Sequence, residues 1–566
     1  MALGILEPKS GGHVPGTARL YDTQLAPGTE ASPPERHRNL KHGTGKNSDV
    51  LLVPQPSASP NDPLNWPLWK RDLTLLVLGL AGATTAILGP AVAPITKIIV
   101  DEFHVSYTEV AKWSGWQFWA SGIAGLIASA VSRIWGKRSV YLISILLCFA
   151  GALWNALATT PGSFAGARFI QGLGLGAFET IVPSSIGDMY FVHERGKRIA
   201  FYNLCFLGAT YFMPVLGGYI SMKHGWRTQF TIMAVFLGVV SVLVFLFVPE
   251  HCYNRPAIFD TDTASSENLD ELANVQSQGA GSGEQEKKKT YIQELALFSG
   301  RYSNESLLRC ILAPFFLFFY PATIWSFLFQ GTFITWGIGV SIILAQVFGH
   351  PPYNFGPEKL GYMYAAPFVG AVLSYFIAGM FSDYLAKVMS KRNNNIFEPE
   401  FRILLVIPVA IFALPGIFAF GVAAEAHKHW IVPSICYGLL TFGVVMSCTA
   451  TYSYVLDAHR DISVEMMVSL LLLKNFWAFG STFFLNNWNA RRGPKEMFFV
   501  IGGIQAAVCV LSLGMYVGGK LQRDAVRRWN VLGRMGLYPR TVPEEKRVVV
   551  EEVDTEQAGK EGRNDI

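Results

Sequence analysis

Three charged side chains, Arg168, Glu179 and Lys474, stand inside runs of apolar sequence where a charge is expensive. In a lipid-spanning helix each costs roughly 2.5–3.5 kcal/mol on insertion scales, so each needs a partner or a task. Arg168 opens the stretch Arg168-Phe-Ile-Gln171-Gly172-Leu-Gly174-Leu-Gly176-Ala-Phe-Glu179. Steps of four, four and three put residues 168, 172, 176 and 179 on one helix face. The two charges therefore share a side with glycines that let a neighbouring helix approach closely. Glu179, about three turns into the apolar run, suits a coupling carboxylate that takes up either a proton or a substrate cation; the alternative is a structural ion pair. Arg168 either faces an interior cavity, where it steadies that carboxylate or holds an anionic group, or snorkels to a headgroup. Lys474, in Leu-Lys474-Asn475-Phe-Trp477, is either a substrate or counter-ion partner or a snorkelling residue. Trp116, Gln117, Gln171, Trp325, Gln330 and Asn475 add polar and aromatic groups of the kind that line small-molecule cavities, although such residues more often simply pack.

The chain that positions these groups is 51% hydrophobic and 15% charged, with 40 Phe and a mean hydropathy of +0.30, which excludes an ordinary soluble fold. A crossing of the hydrocarbon core takes about 20 mainly apolar residues. Twelve runs qualify: 73–96, 114–134, 139–160, 164–187, 199–220 and 229–248, then 312–346, 360–384, 402–422, 431–455, 464–487 and 498–519. The seventh is longer than one crossing needs, so it either bends near Gly337–Gly339 or continues past the headgroups. The expected fold is an all-α integral membrane protein with a six-helix half at 71–250 and a second at 311–520. A polar linker at 251–310 separates them; residues 1–70 read as a disordered segment and 521–566 as a solvated tail. No cleavable signal peptide precedes the first run. Lys and Arg gather in the even-numbered loops, at Arg133, Lys137, Arg138, Arg195, Lys197, Arg198, Lys387, Lys391, Arg392, Arg402 and Arg460, against Lys223, Arg227, Arg491, Arg492 and Lys495 on the opposite side. With the basic linker and tail and the missing signal peptide, the expected orientation puts the even-numbered loops, the linker and both termini in the cytosol.

Seven scattered cysteines form no CxxC pair, and the sequence holds no Walker motif, nucleophile elbow or His-Cys metal set. Neither an enzyme nor a cofactor is implied, and the basic residues form no nucleic-acid stripe. The expected partners are a small organic substrate, protons and the lipid bilayer, for a monomer in the plasma membrane. Without a nucleotide site, concentrating a solute requires an ion gradient.

The Arg168-Phe-Ile-Gln171-Gly172 start resembles the Arg-x-x-x-Gly signature of the major facilitator superfamily. Gly136-Lys137-Arg138 matches the end of that family's loop motif between spans two and three, with Arg133 where an Asp is usual and Ser129 where a Gly is usual. The repeat in the second half, Gly379-Met-Phe-Ser-Asp383 with Lys387, keeps the Asp and replaces the next Gly with Ala386. The resemblance implies that Arg133, Lys137, Arg138, Asp383 and Lys387 belong to a cytosolic gate. Asn61-Asp62-Pro63-Leu64-Asn65-Trp66-Pro67, His193-Glu194-Arg195-Gly196, Pro249-Glu250, Pro351-Pro352-Tyr353-Asn354-Phe355 and Glu398-Pro399-Glu400-Phe401-Arg402 are similar to fungal twelve-span drug:proton antiporters. That group's glycine-proline motif is partial here, as Met213-Pro214-Val-Leu-Gly217-Gly218. Gly208, Pro214, Gly217 and Gly218 make the fifth span kinkable and able to pack closely. The resemblance implies proton-coupled efflux of a drug, toxin or secondary metabolite from a pocket between two rocking halves. The alternatives are proton-coupled uptake of a nutrient or organic cation such as a polyamine, and, more distantly, a non-transporting membrane sensor.

Overall fold

The computed structural model describes residues 3–8, 14–19, 41–42, 52–57, 59–253, 287–298, 300–303, 305–459 and 462–535. The expected linker segment 254–286, Arg460 and the tail beyond 535 lie outside them. Helices occur at all twelve expected positions. In the first half they are α1 (Leu68–Phe103, with a 3-10 stretch at Pro90–Ile95), α2 (Tyr107–Trp135), α3 (Arg138–Leu157), α4 (Pro161–Met189), α5 (Val192–His224) and α6 (Trp226–Phe247). In the second half they are α7 (Pro321–Phe348), α8 (Pro357–Arg392), α9 (Pro399–Glu425), α10 (Ile431–Ala458), α11 (Ser463–Ser481) and α12 (Leu485–Trp529, kinked where Gly493 leaves helical geometry). Ten are long and apolar enough to cross a membrane. The two that fall short, α4 and α11, carry Glu179 and Lys474 respectively, and their polar residues lower the hydropathy of otherwise apolar helices.

The sequence fixes the helix ends locally. Ser106 and Glu109 close a reciprocal capping box at the start of α2, and Thr160 caps α4 just ahead of Pro161, whose missing N–H costs nothing in a first turn. Gly136 joins α2 to α3 at φ +97°, a conformation L side chains rarely adopt. Its lack of a side chain also admits the Glu250 carboxylate, which accepts hydrogen bonds from the backbone N–H of Lys137 and Arg138 at 3.1 Å each. An anion thus caps the positive end of α3, and the Pro249-Glu250 pair finds its structural use.

The long seventh run does not bend at Gly337–Gly339, which lie within a continuous helix. The break falls at Phe318–Tyr320, between a Leu307–Leu317 helix and α7, because Pro321 disfavours helical geometry in the residue before it and starts a new helix. A single π-helical turn follows at Phe327–Gly331, matched by one at Leu204–Gly208 within α5.

Residues such as Val235, Phe236, Val239 and Val242 on α6 and Leu373, Phe376 and Met380 on α8 leave bulky apolar side chains on the outside, as a lipid-facing surface requires. Between the halves the backbones nearly touch. A Cβ on Gly361 of α8 would overlap the Pro214 carbonyl of α5, and one on Gly218 would overlap the Pro357 carbonyl. The close-packing role expected for the fifth span is met there.

The described parts of the N-terminal segment are not free chain. Ala18–Arg19 (β1) pairs antiparallel with Ile396–Phe397 (β2) in the loop before α9, and Ile5, Val14 and Val53 are buried. Composition missed this because the segment forms no core alone; it borrows the apolar and charged surface at the ends of other helices. Part of the linker is likewise tied down. Glu294 pairs with Lys70 at 2.7 Å, and the backbone of Lys287 and Lys289 bonds the Asn61 side chain at 3.2 and 3.0 Å. We call the face that carries these segments the terminus side and the opposite one the far side.

Candidate functional site

Glu179 of α4 and Lys474 of α11 meet. The Lys474 Nζ lies 2.7 Å from Glu179 Oε1, while Ser121 of α2 and Asn475 of α11 donate to Oε2 at 3.2 and 3.3 Å. The two charged side chains are 12% and 8% exposed. An acid of one half and a base of the other therefore neutralise each other where both would be costly alone. The small residues of the Arg168–Glu179 face permit this placement: a Cβ on Gly172 would overlap the Gln117 carbonyl, and one on Gly176 the Ser121 carbonyl. Helices α2 and α4 are thereby close enough for Ser121 to reach the carboxylate.

The pair forms the floor of a cavity of about 130 Å³ between the halves. Its walls are mainly apolar, with polar groups from Ser114, Thr210, Tyr211 and Ser341 and with Tyr107 towards the far side. Of the candidates named from sequence, only Glu179 and Lys474 line it. Asn475 touches it indirectly through its bond to Glu179. Ser114, Tyr107, Tyr211 and Ser341 were missed, since hydroxyls at helical spacing carry no signal that separates a cavity wall from ordinary packing.

Several expectations need correction. Arg168 is fully buried and does not approach Glu179; its guanidinium donates to the carbonyls of Leu88 and Gly89, where α1 loosens into the 3-10 stretch, to Gln171 Oε1 at 3.2 Å and to the cavity-wall Ser114 hydroxyl at 3.4 Å, so it stands behind that wall without lining it. It ties α4 to backbone carbonyls at the start of the 3-10 stretch rather than anchoring to a headgroup. Gln171 is bound to that guanidinium and to the Gly151 carbonyl at 3.0 Å, so it is a packing element between α3 and α4. Trp116 is 42% exposed, against Trp119 and Phe479, outside the cavity. Trp325 is buried within the second half, donating to Ser512 at 2.9 Å and stacked on Phe329. Gln117 and Gln330 are buried away from the cavity lining, the latter near Cys448 and Tyr452.

On the terminus side the floor is backed by contacts that join the halves. Asn203 of α5 donates to Thr449 of α10 at 3.1 Å. Nearer the surface, Arg195 of α5 lies 3.7 Å from Asp457 of α10, which also accepts from Arg402 at 3.2 Å, and Arg402 reaches Asp383 at 3.4 Å. Gly196 faces Asp383 so closely that a Cβ would overlap its carboxylate. Arg133, the reversed charge in the loop motif, pairs across the halves with Glu465 of α11 and with Glu305 at 3.1 Å. Lys137 instead stays within its own half, on Asp188 and Ser184, and Arg138 is buried against the carbonyls of Phe245 and Val248. Lys387 lies half-buried one turn beyond Asp383. Of the five residues that the resemblance assigns to a gate, Arg133 pairs across the halves, and Asp383 lies against Gly196 of the first half and joins through Arg402 to the Arg195–Asp457 pair, which sequence did not identify.

Residues 74–460 match the family model described as Major Facilitator Superfamily. An uncharacterized MFS-type transporter of Schizosaccharomyces pombe is 26% identical over 91% of this chain and 93% of its own length. Protein HOL1 of Saccharomyces cerevisiae is 23% identical over 91% and 96%. The MFS transporter cpaT of Aspergillus oryzae is 25% identical over 74% and 80%. Among solved structures, the proton:xylose symporter XylE bound to 6-bromo-6-deoxy-D-glucose superposes with a TM-score of 0.55 over 80% of this chain and 97% of that one, at 14% identity. At that identity the likeness is one of fold.

Proposed function

The chain belongs to the major facilitator superfamily, and from that premise we propose that it is a proton-coupled carrier exporting a small organic compound, a drug, toxin or secondary metabolite, as twelve-span drug:proton antiporters do. Membership makes it a membrane transporter and not an enzyme. The observation that carries the coupling is the Glu179–Lys474 pair on the cavity floor. A proton on Glu179 removes the carboxylate charge and releases Lys474; a cationic or polar group of the substrate competes for the same carboxylate. One site that holds a proton or a substrate, but not both, exchanges the two across the membrane. The mainly apolar walls suit the body of an amphipathic molecule, and the hydroxyls of Ser114, Tyr211 and Ser341 suit its polar groups. We place both termini in the cytosol and the carrier in the plasma membrane as a monomer, so that the cavity of this conformation faces outward.

Uptake of a nutrient or organic cation is the second reading, because the carboxylate lining the cavity serves a bound cation as well as a proton. A growth screen of a deletion strain against toxins and nutrients identifies the substrate, and proteoliposomes with an imposed pH gradient decide between the readings. Movement of that substrate against the proton flow supports export. Movement with the proton flow supports uptake, and rates indifferent to the gradient refute proton coupling.

A further inference from the structure

The N-terminal residues bind both halves on the terminus side. On the second half, Leu6 N–H donates to the Val517 carbonyl at 3.0 Å, the Tyr516 hydroxyl donates to the Leu3 carbonyl at 3.0 Å, and β1 pairs with β2. The Thr17 hydroxyl donates to Glu398 at 2.9 Å, and Arg523 of α12 donates to Thr17 and to the Pro15 carbonyl. Gly16, at φ +87°, lies so near the end of α10 that a Cβ would be 2.8 Å from the Asp457 carbonyl oxygen and 2.9 Å from that of Ala458. On the first half, the Val53 carbonyl accepts from the Val192 N–H at the start of α5, at 2.9 Å. A single apolar cluster then closes the joint: Ile5 and Val53 of the segment, Val192 of the first half, and Ala386, Phe397 and Phe401 of the second.

We infer that residues 3–8 and 14–19, seated together with Val53, form an autoinhibitory latch, which must leave its seat before the carrier can open to the terminus side. Opening requires α5 to part from α8 and α10. The same movement separates Val192 from Ala386, Phe397 and Phe401, and so divides the cluster that Ile5 and Val53 complete. The seat of residues 14–19 lies over the Asp457 end of α10, directly beside the Arg195–Asp457 contact between the halves. Its polar side is sensitive to charge. Thr17 is buried between Glu398 and the Arg523 guanidinium, whose charges Glu400 and Lys520 balance, so a longer, charged side chain at residue 17 replaces the hydroxyl that donates to Glu398 with a carboxylate that cannot donate and has no room in the seat. The inference rests on the chain being a two-half carrier and not on its proton coupling or direction.

The test is electron spin-echo distance measurement on the full-length protein in nanodiscs. Spin labels go on the exposed Lys197 of α5 and Lys391 of α8, each replaced by Cys in a background with the native cysteines changed to Ala. The unaltered segment should give one dominant short distance. Deletion of residues 3–19 should raise the longer-distance population at least threefold, and Thr17→Glu and Gly16→Val should do so in smaller measure. Arg523 keeps Glu398 and Glu400 when the segment is removed, so the fold beneath it survives. If the deletion variant and the full chain give the same distance distribution, the segment is a passive strap and the inference fails. No substrate or gradient enters the measurement, so a carrier without proton coupling still shows the latch.

Discussion

Removing either member of the Glu179–Lys474 pair leaves the other charge in a site that water hardly reaches. Breaking a buried pair from one side costs about 3–5 kcal/mol in dry surroundings. Here the pair borders the cavity, and its side chains are 12% and 8% exposed, so screening lowers the expected loss to about 2–3 kcal/mol. Glu179→Gln retains groups that can bond Ser121 and Asn475, and so isolates the charge. Lys474→Gln does the same from the other half. The double variant leaves no orphaned charge and should be more stable than the sum of the two losses by at least about 1.5 kcal/mol. The assay is unfolding in mixed detergent micelles for the four proteins of the cycle. If the single losses add within about 0.5 kcal/mol, the charges act independently and the interhalf pair is not a unit.

Three further outcomes follow from the terminus side. Asp383→Asn should slow turnover while leaving equilibrium substrate binding within a few fold, because Arg402 keeps Asp457 and Ser382; loss of binding in folded protein would place Asp383 in the pocket. Tags at residue 280 and at either end should be protease-protected in sealed right-side-out vesicles, and external labelling of the linker would overturn the proposed orientation. Burial holds His251 below the usual histidine value, with the Lys137 charge adding to the effect, and pushes His459 down to about 3, with Arg523 adding to it. Below about pH 6.5 the unfolded chain therefore binds protons that the folded chain refuses, and each such group removes about 1.4 kcal/mol per pH unit. Detergent-solubilised protein should lose stability from pH 7 to pH 5.5, and His251→Gln with His459→Asn should flatten that fall; an unchanged slope would show that other groups set it.

The helices were legible because lipid demands long apolar runs, and their observed ends exceed the expected ones mostly by capped, polar turns. Thus α2 begins at Tyr107 rather than 114, since Ser106 and Glu109 start a helix before its apolar stretch does. Glu179 and Lys474 were visible as charges in apolar surroundings, but their pairing across 295 positions depends on how the halves dock. Arg168 shares a helix face with Glu179, but eleven residues at 1.5 Å each hold the two charges about 16 Å apart along the axis, and Arg168's real partners, the carbonyls of Leu88 and Gly89 on another helix, carry no sequence signal. The N-terminal seat was hidden for a different reason. Residues 14–19 have no periodicity of their own, and their order comes from Glu398, Arg523 and the backbone at Ile396–Phe397. The Glu398-Pro399-Glu400-Phe401-Arg402 stretch was read as a family resemblance; its acids hold Lys520 and Arg523, and its arginine holds Asp383 and Asp457.

The central claim is that Glu179 couples the proton gradient to substrate movement, and transport by Glu179→Gln protein in proteoliposomes tests it most directly. With the substrate from the growth screen, the variant should fail to move it against its gradient under an imposed pH difference, while still exchanging labelled for unlabelled substrate when both faces are loaded. Uphill transport by Glu179→Gln with the pH dependence of the unaltered protein would contradict the claim and make Glu179 a structural member of its ion pair.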